Sequence, residues 1–311
     1  MVLYNVLAKY LSEDISSELH IMEEIMTIID AIFQGIIQGI TEFLPISSDG
    51  HLSIYQHFTG NYGENALIFT LVLHIGTLIA VLFTYRELIW ELIQEVFSMI
   101  YDIFHRRLFR FAPDNNRAMI YMIIIATLPL FGFVLIKDFI TSFSEDNDII
   151  VEGLCFLYTA TLLFLSAKCI KGKKTAKNMT VRDALIIGVF QGLAIMPGIS
   201  RSGSTIAIGL LMGYSKEFMV TFSFILSIPA IIGACILDIP EIIAAGMVYS
   251  WPVIIVGLVS SALVGFVAIK LIRYLVINDK FIIFSYYTFA LGIIIFLLGI
   301  AERFMGFSIV L

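Results

Sequence analysis

The chain has 311 residues, of which 59% are hydrophobic and only 14% are Asp, Glu, Lys or Arg, against about 25% charged in an ordinary soluble domain. A soluble fold of that size cannot cover so much apolar surface, and the runs that recur along its length can each cross a hydrocarbon core of about 30 Å, so an all-α integral membrane protein is predicted. The net charge of −6 gives no reason to expect nucleic-acid binding, and Cys155, Cys169 and Cys235, far apart with no CxxC, support neither a disulfide framework nor a zinc site.

In chain order, residues 1–28 hold Glu13, Asp14, Glu18, Glu23 and Glu24 against a single lysine, Lys9. They lack the basic start and long apolar core of a signal peptide and are predicted to be an amphipathic surface extension. Residues 29–303 read as one membrane domain, with 304–311 a short tail. Its first apolar stretch, 31–59, is broken by Gly, Pro and Ser and does not read as a plain span. Spans are expected at about 66–84, 118–136 and 149–169. A second broken stretch follows at 183–213, then spans at about 218–237, 251–270 and 281–300.

The charges set an orientation. Segment 85–117 carries Arg86, Arg106, Arg107, Arg110 and Arg117; segment 168–182 carries Lys168, Lys171, Lys173, Lys174, Lys177 and Arg182; Lys270, Arg273 and Lys280 mark a third. These three read as cytoplasmic connections. The connections between them are acidic, with Asp138, Glu145, Asp146 and Asp148 in one and Asp238 and Glu241 in the other, and read as external. Six spans then place both termini on the outer face of a multi-pass protein of the plasma membrane. Trp90 and Trp251, near span ends, fit an interfacial belt.

The two broken stretches resemble each other. A gapless shift of 153 residues lays Gly35 on Gly188, Gln38 on Gln191, Gly39 on Gly192, Ser47 on Ser200 and Gly50 on Gly203, and carries Phe69 onto Phe222 and Leu73 onto Leu226. Repeat one covers about 31–169 and repeat two about 183–300. Each holds one broken segment and three spans, and an odd number of crossings inverts the second copy. Lys216 and Glu217 must then face the cytoplasm, which makes both broken segments re-entrant helix-loop-helix units. Such units are tolerated only where protein or a watery cavity receives their polar backbone, and two entering from opposite faces are expected to meet near the midplane.

Glu42, Asp49, His51 and Arg201 lie in these two segments, although an ionisable group at membrane depth costs at least about 2.5–3.5 kcal/mol. The second loop looks built for an anion. Pro197-Gly198 ends one half-helix, Ser200, Arg201, Ser202, Gly203, Ser204 and Thr205 open the next with unpaired N–H groups, and a guanidinium adds a fork suited to two phosphate oxygens. The bland alternative is that Arg201 serves only as counter-ion to Glu42 or Asp49. In the first loop, Gln38 and Glu42 share a helix face and offer hard oxygens to a divalent cation. Three residues separate Ser48 from His51, within reach for proton transfer. His74, in the first full span, reads as a buried histidine bonding a nearby carbonyl.

These residues carry a family resemblance. The run from Gln38 through Glu42 to Ser47-Ser48-Asp49-Gly50-His51 resembles the Glu/Gln-x-x-x-Glu and Ser-Ser-x-Gly-His motifs of undecaprenyl-diphosphate phosphatases of the bacitracin-resistance type, and Pro197-Gly-Ile-Ser-Arg201-Ser-Gly-Ser-Thr205 resembles their Pro-Gly-x-Ser-Arg-Ser-x-x-Thr motif. The resemblance covers roughly residues 30–300. It implies dephosphorylation of undecaprenyl diphosphate to the monophosphate carrier used in cell-wall polymer synthesis, with bacitracin resistance as a consequence, and a Mg2+ or Ca2+ cofactor. Carried onto this chain, Glu42, Ser48, His51 and Arg201 become the catalytic set and Ser47 joins the phosphate cradle. Gln38 stands where Glu is common, and Asp49, where Ser or Thr is commoner, adds a carboxylate that either binds metal or repels substrate. The implied partners are a polyprenyl diphosphate, for whose tail 26 Phe and 12 Met offer a greasy groove, and membrane lipids. A flippase or transporter of a phosphorylated lipid is the rival reading, and the oligomeric state, a homodimer included, stays open.

Overall fold

Lipid cannot satisfy backbone N–H and C=O groups, which restricts a spanning chain to helices or closed barrels, and this chain takes the helical solution. The computed structural model describes residues 27–60, 64–105, 114–136, 149–169, 172–245 and 249–306. Among the described residues are eleven α-helices, a 3-10 turn at Ala176–Asn178, and no extended pairing beyond one bridge between Lys174 and Tyr214. Residues 1–26 of the expected surface extension, the acidic Asp138 to Asp148, the basic Arg106, Arg107, Arg110 and Lys171, and the tail from 307 lie outside the described residues.

The helices are α1 (Thr27–Thr41), α2 (Ser48–Thr59), α3 (Glu64–Thr84), α4 (Arg86–Phe104), α5 (Asn115–Val134) and α6 (Ile150–Ala167), followed by α7 (Val181–Leu193), α8 (Arg201–Leu211), α9 (Lys216–Ala245), α10 (Trp251–Ile277) and α11 (Ile282–Met305). The six expected spans correspond to α3, α5, α6, α9, α10 and α11. Five of these pass the length and apolarity required of a span on their own, and α3 passes together with α4, which meets it at an 83° bend. The chain is a multi-pass membrane protein. Each stretch expected to be broken is two short helices joined by a turn, α1–α2 and α7–α8.

Most of residues 85–117, the basic segment that follows the first expected span, is the helix α4. Its apolar residues recur at helical spacing, with Leu92 and Met99 buried two turns apart and Leu88 packed on the core, so a segment charged enough to look like a loop still has an apolar face to bury.

Small residues bring the helices together. A Cβ on Gly39 of α1 would lie 2.8 Å from the Ser261 carbonyl oxygen and 2.9 Å from the Gly265 nitrogen, both on α10. The matching pair on α7 meets α5: a Cβ on Gly188 would run into the Ala126 carbonyl, and one on Gly192 into the Phe133 ring. In the same way α6 and α11 approach through Gly153, where a Cβ would lie 2.6 Å from the Phe296 nitrogen. Close backbone approach at Gly is the common means of packing helices in lipid, where dispersion rather than water exclusion holds them together. The buried core runs from Phe43 and Leu44 through Phe222 and Phe224 to Ile269 and Ile272, so both turns sit on packed protein.

Candidate active site

Both turns begin where a helix cannot continue. Pro45 and Pro197 each lack an N–H and interrupt the ladder, and the chain restarts on a serine cap. Ser47 caps α2, its Oγ accepting from the Gly50 N–H at 3.3 Å. Ser200 caps α8, its Oγ accepting from the Gly203 N–H at 3.0 Å. The two helix N-termini, each with orphan N–H groups and a positive dipole end, are then drawn together. Ser47 Oγ accepts a second bond, from the Gly198 N–H at 3.1 Å, and this contact holds Ser47 at φ 69°, a conformation that costs a non-glycine residue roughly 1–3 kcal/mol. Gly198 sits at φ 95°. Thr159 of α6 fastens the second turn, donating to the Gly198 carbonyl at 2.8 Å while accepting from the Ser200 N–H at 3.1 Å.

The crossing point leaves no room for a side chain. A Cβ on Gly50 would lie 2.7 Å from the Gly198 nitrogen, 2.8 Å from its Cα and 2.6 Å from the Phe156 ring. Gly50→Ala is therefore expected to push the two turns apart, at a cost of about 1–3 kcal/mol, lowering the melting temperature and turnover together; wild-type values for both would show that the turns can separate freely.

Glu42, 6% exposed, organises the polar groups around this crossing. One oxygen takes the Arg201 guanidinium through Nη2. The other accepts from Ser48 Oγ at 2.7 Å and from Gln38 Nε2 at 3.0 Å, and His74 Nε2 stands 3.6 Å from it. Arg201 is braced on its other arm, Nη1 donating to the Ser227 carbonyl at 3.3 Å. His74 Nδ1 faces the Thr70 carbonyl at 2.9 Å; a carbonyl only accepts, so that nitrogen carries the hydrogen. Its Nε2 lies between Glu42 and Asp49, 3.5 Å from Asp49 Oδ1.

His51 sits at the edge of this cluster. Its Nδ1 donates to the Ser47 carbonyl at 2.6 Å and its Nε2 meets the Tyr287 hydroxyl of α11 at 2.8 Å, with the Tyr287 ring nearly parallel at 8°. Ser48 and His51 are both present, but their hydroxyl and imidazole turn to different partners. Ser48 opens α2 and is drawn to the carboxylate behind it, while His51, one turn on, reaches back to the cap residue.

The serines of the expected phosphate cradle mostly hold backbone. Ser200 caps α8, Ser202 Oγ donates to the Leu44 carbonyl at 3.4 Å, and Thr205 Oγ1 lies 2.6 Å from Ser223 Oγ. Ser204 Oγ is buried with no hydrogen-bond partner among the described residues. What remains for an anion is the guanidinium and the first N–H groups of α8 and α2. Sequence reasoning missed Tyr287, Thr159 and Ser227, which carry no local motif. It weighed His74 as a carbonyl-bonded histidine; that bond is there, and the ring also faces two carboxylates.

A divalent cation can be tested against these donors. Gln38 Oε1 is buried beside Glu42 with no hydrogen-bond partner among the described residues, and an amide oxygen is the kind of donor a hard cation takes. Among the described residues no three His, Cys, Asp or Glu side chains form a cage on their own. A cation here would therefore need further oxygens beyond these side chains, such as those of a substrate phosphate.

Residues 31–294 match the family described as bacitracin resistance protein BacA. A relative from Alkaliphilus metalliredigens, named undecaprenyl-diphosphatase, is 40% identical over 264 residues, covering 84% of this chain and 94% of the relative. Relatives of the same name from Methanosphaera stadtmanae and Methanobrevibacter smithii are 39% and 38% identical, covering 84% and 85% of this chain and 94% and 95% of their own lengths.

Proposed function

The chain belongs to the bacitracin resistance protein BacA family, and from that premise we propose that it removes the terminal phosphate of undecaprenyl diphosphate, leaving the monophosphate carrier. The observation that carries this is the chain Arg201–Glu42–Ser48 at the crossing of two helix N-termini. A hydroxyl bonded to a carboxylate is a nucleophile with its base in place. A guanidinium beside it is suited to the charge of a phosphoryl group.

In this reading Ser48 Oγ attacks the terminal phosphorus and passes its proton to Glu42 Oε2. The bond from that phosphorus to the bridging oxygen breaks, and the electron pair leaves with undecaprenyl phosphate. Water then attacks the phosphoserine phosphorus, the bond from phosphorus to Ser48 Oγ breaks, Oγ takes its proton back from Glu42, and inorganic phosphate leaves. Arg201 binds the phosphoryl oxygens, giving up its contact with Glu42 as the carboxyl is protonated, and the N-termini of α2 and α8 supply further positive potential. His51, its Nδ1–H committed to the Ser47 carbonyl, offers Nε2 for handling the proton of the attacking water once Tyr287 is displaced. Glu42, Gln38 and Asp49 would hold a Mg2+ or Ca2+, which when bound neutralises phosphate charge. A transporter needs a cradle that binds and releases but has no use for a hydroxyl hydrogen-bonded to a buried carboxylate, so this arrangement favours the enzyme.

The same reading places the site between inverted repeats. The 153-residue shift carries α1, α2 and the start of α3 onto α7, α8 and the start of α9. The glycine pairs agree, since α1 packs on α10 while α7 packs on α5, each arm lying against the other repeat. With both pairs re-entrant, the termini lie outside. In a chain whose own cysteines are replaced, Phe143→Cys and Ile243→Cys should react with an impermeant thiol reagent from outside intact cells and Lys174→Cys should not. Labelling of Lys174→Cys alone would reverse the orientation.

The activity is tested with the purified full chain in detergent, given a polyprenyl diphosphate, following phosphate release with and without chelator. Release abolished by Ser48→Ala supports the reading; substrate binding without release, by a protein of native melting temperature, would favour transport.

A further inference from the structure

We propose that α4 is an interfacial anchor, lying along the membrane plane with one face sunk among lipid headgroups and upper acyl chains. An α-helix turns about 100° per residue, and by that angle the residues of α4 separate into three sectors. Leu88, Leu92 and Met99 fall in the first and face protein. Glu91, Glu95, Ser98 and Asp102 fall in the second, where the start of α5 clamps them. Asn116 Nδ2 donates to Glu91 at 3.2 Å, Arg117 Nε to Glu95 at 2.5 Å, and Arg117 Nη2 stands 2.9 Å from Asp102. The third sector holds Trp90, Ile93, Phe97, Ile100, Tyr101 and Phe104, and none of the described residues covers it: Trp90 is 61%, Phe97 67% and Phe104 81% exposed.

The clamp fixes the rotation. Turning the third sector inward would pull Glu95 and Asp102 off Arg117, a residue whose side chain is only 12% exposed. Six large apolar side chains on one continuous face exceed what a water-facing surface ordinarily carries. The occupant is therefore apolar, and three observations make it lipid. First, the bend between Ile68–Thr84 and Arg86–Phe104 is 83°, so a helix that follows a span runs nearly along the membrane plane. Second, the Ile68–Thr84 part of α3 is about 26 Å long at 1.5 Å per residue, close to a full hydrocarbon core. α4 is not needed to complete that crossing, and its own Glu87, Glu91, Glu95 and Asp102 would be costly inside one. Third, exposed Leu82 and Phe83 at the end of α3 lead directly into the α4 stripe, so the face continues the lipid-facing surface of a span. Trp and Tyr in that stripe are the residues that favour the headgroup level. The polar sector is acidic, so the anchor works by apolar burial and needs no anionic lipid.

The chain has two tryptophans, so Trp251→Phe leaves Trp90 as sole reporter; Trp251→Tyr serves as the second variant if the first does not fold. The full chain is reconstituted in phosphatidylcholine vesicles brominated at shallow or at deep acyl positions, with unbrominated vesicles and aqueous iodide for comparison. Shallow bromine should quench Trp90 by roughly half, deep bromine less, and iodide little, as expected for a helix buried about 5–10 Å into the boundary. Quenching as strong or stronger from the deep positions would overturn the proposal in favour of a broken span. Quenching by iodide alone would place the face in water. Protection from all three, with cross-linking between copies through α4, would show that a second copy of the chain covers it.

Discussion

Arg201→Lys is expected to lower kcat/KM by about 10²–10³-fold, the usual cost of losing one preorganised donor to a developing charge, although the substitution keeps the positive charge. Arg201 uses one arm on Glu42 and the other on the Ser227 carbonyl. That brace aims a planar fork across the N-terminus of α8, and an ammonium cannot hold two such directions or offer two parallel bonds to a phosphate. The charge left in Lys still offsets the buried Glu42, so the melting temperature should change far less than the activity. Near-normal phosphate release from Arg201→Lys would remove the clamp role. A collapse of stability in step with activity would make Arg201 a structural counter-ion to Glu42 instead.

Glu42→Gln separates the roles that meet on one carboxylate. The amide keeps the shape and one acceptor oxygen, but it takes no proton from Ser48 and brings no charge to a cation. Loss of a positioned base ordinarily costs about 10²–10⁴-fold, and turnover should fall in that range. If Glu42 also holds the ion, raised Mg2+ or Ca2+ should restore part of the rate, because weaker binding is offset by concentration. If Glu42 serves only as partner to Arg201, the variant leaves a guanidinium unpaired at 20% exposure, which costs about 3–5 kcal/mol for a buried pair, and no ion will rescue it. Phosphate release titrated against each cation, beside the melting temperature, distinguishes these outcomes. An unchanged metal dependence would take Glu42 out of the ion's ligand set.

The two broken stretches were legible because their punctuation is local. Pro45, Ser47 and Gly50 in one, and Pro197, Gly198 and Ser200 in the other, stop a helix and restart it by rules that hold for a few residues at a time. Arg201 and Glu42 stood out for a similar reason, since charge in an apolar run is visible without any coordinates. α4 was obscured because its two apolar sectors are separated by four acidic residues, so average polarity resembles that of a loop while the helical period is present. Tyr287 could not be found from sequence, being 236 residues from His51 and on a helix with many other aromatic side chains.

Composition, span length and the placement of Pro, Gly and charge were enough to determine a multi-pass membrane protein with two interrupted segments and with Glu42, Asp49, His51 and Arg201 near their breaks, because each follows from transfer of a short segment between water and lipid. Which of those polar groups face one another was decided only by the tertiary structure. Ser48 turned to Glu42 rather than to His51, His51 to Tyr287, and His74 to both carboxylates because Ser47, Gly50 and Gly198 let two backbones touch, and that contact depends on glycines of α1 and α7 packing against α10 and α5. Hydrogen-bond partners are set by distances of a few tenths of an ångström, and those distances arise from the packing of helices far apart in the chain.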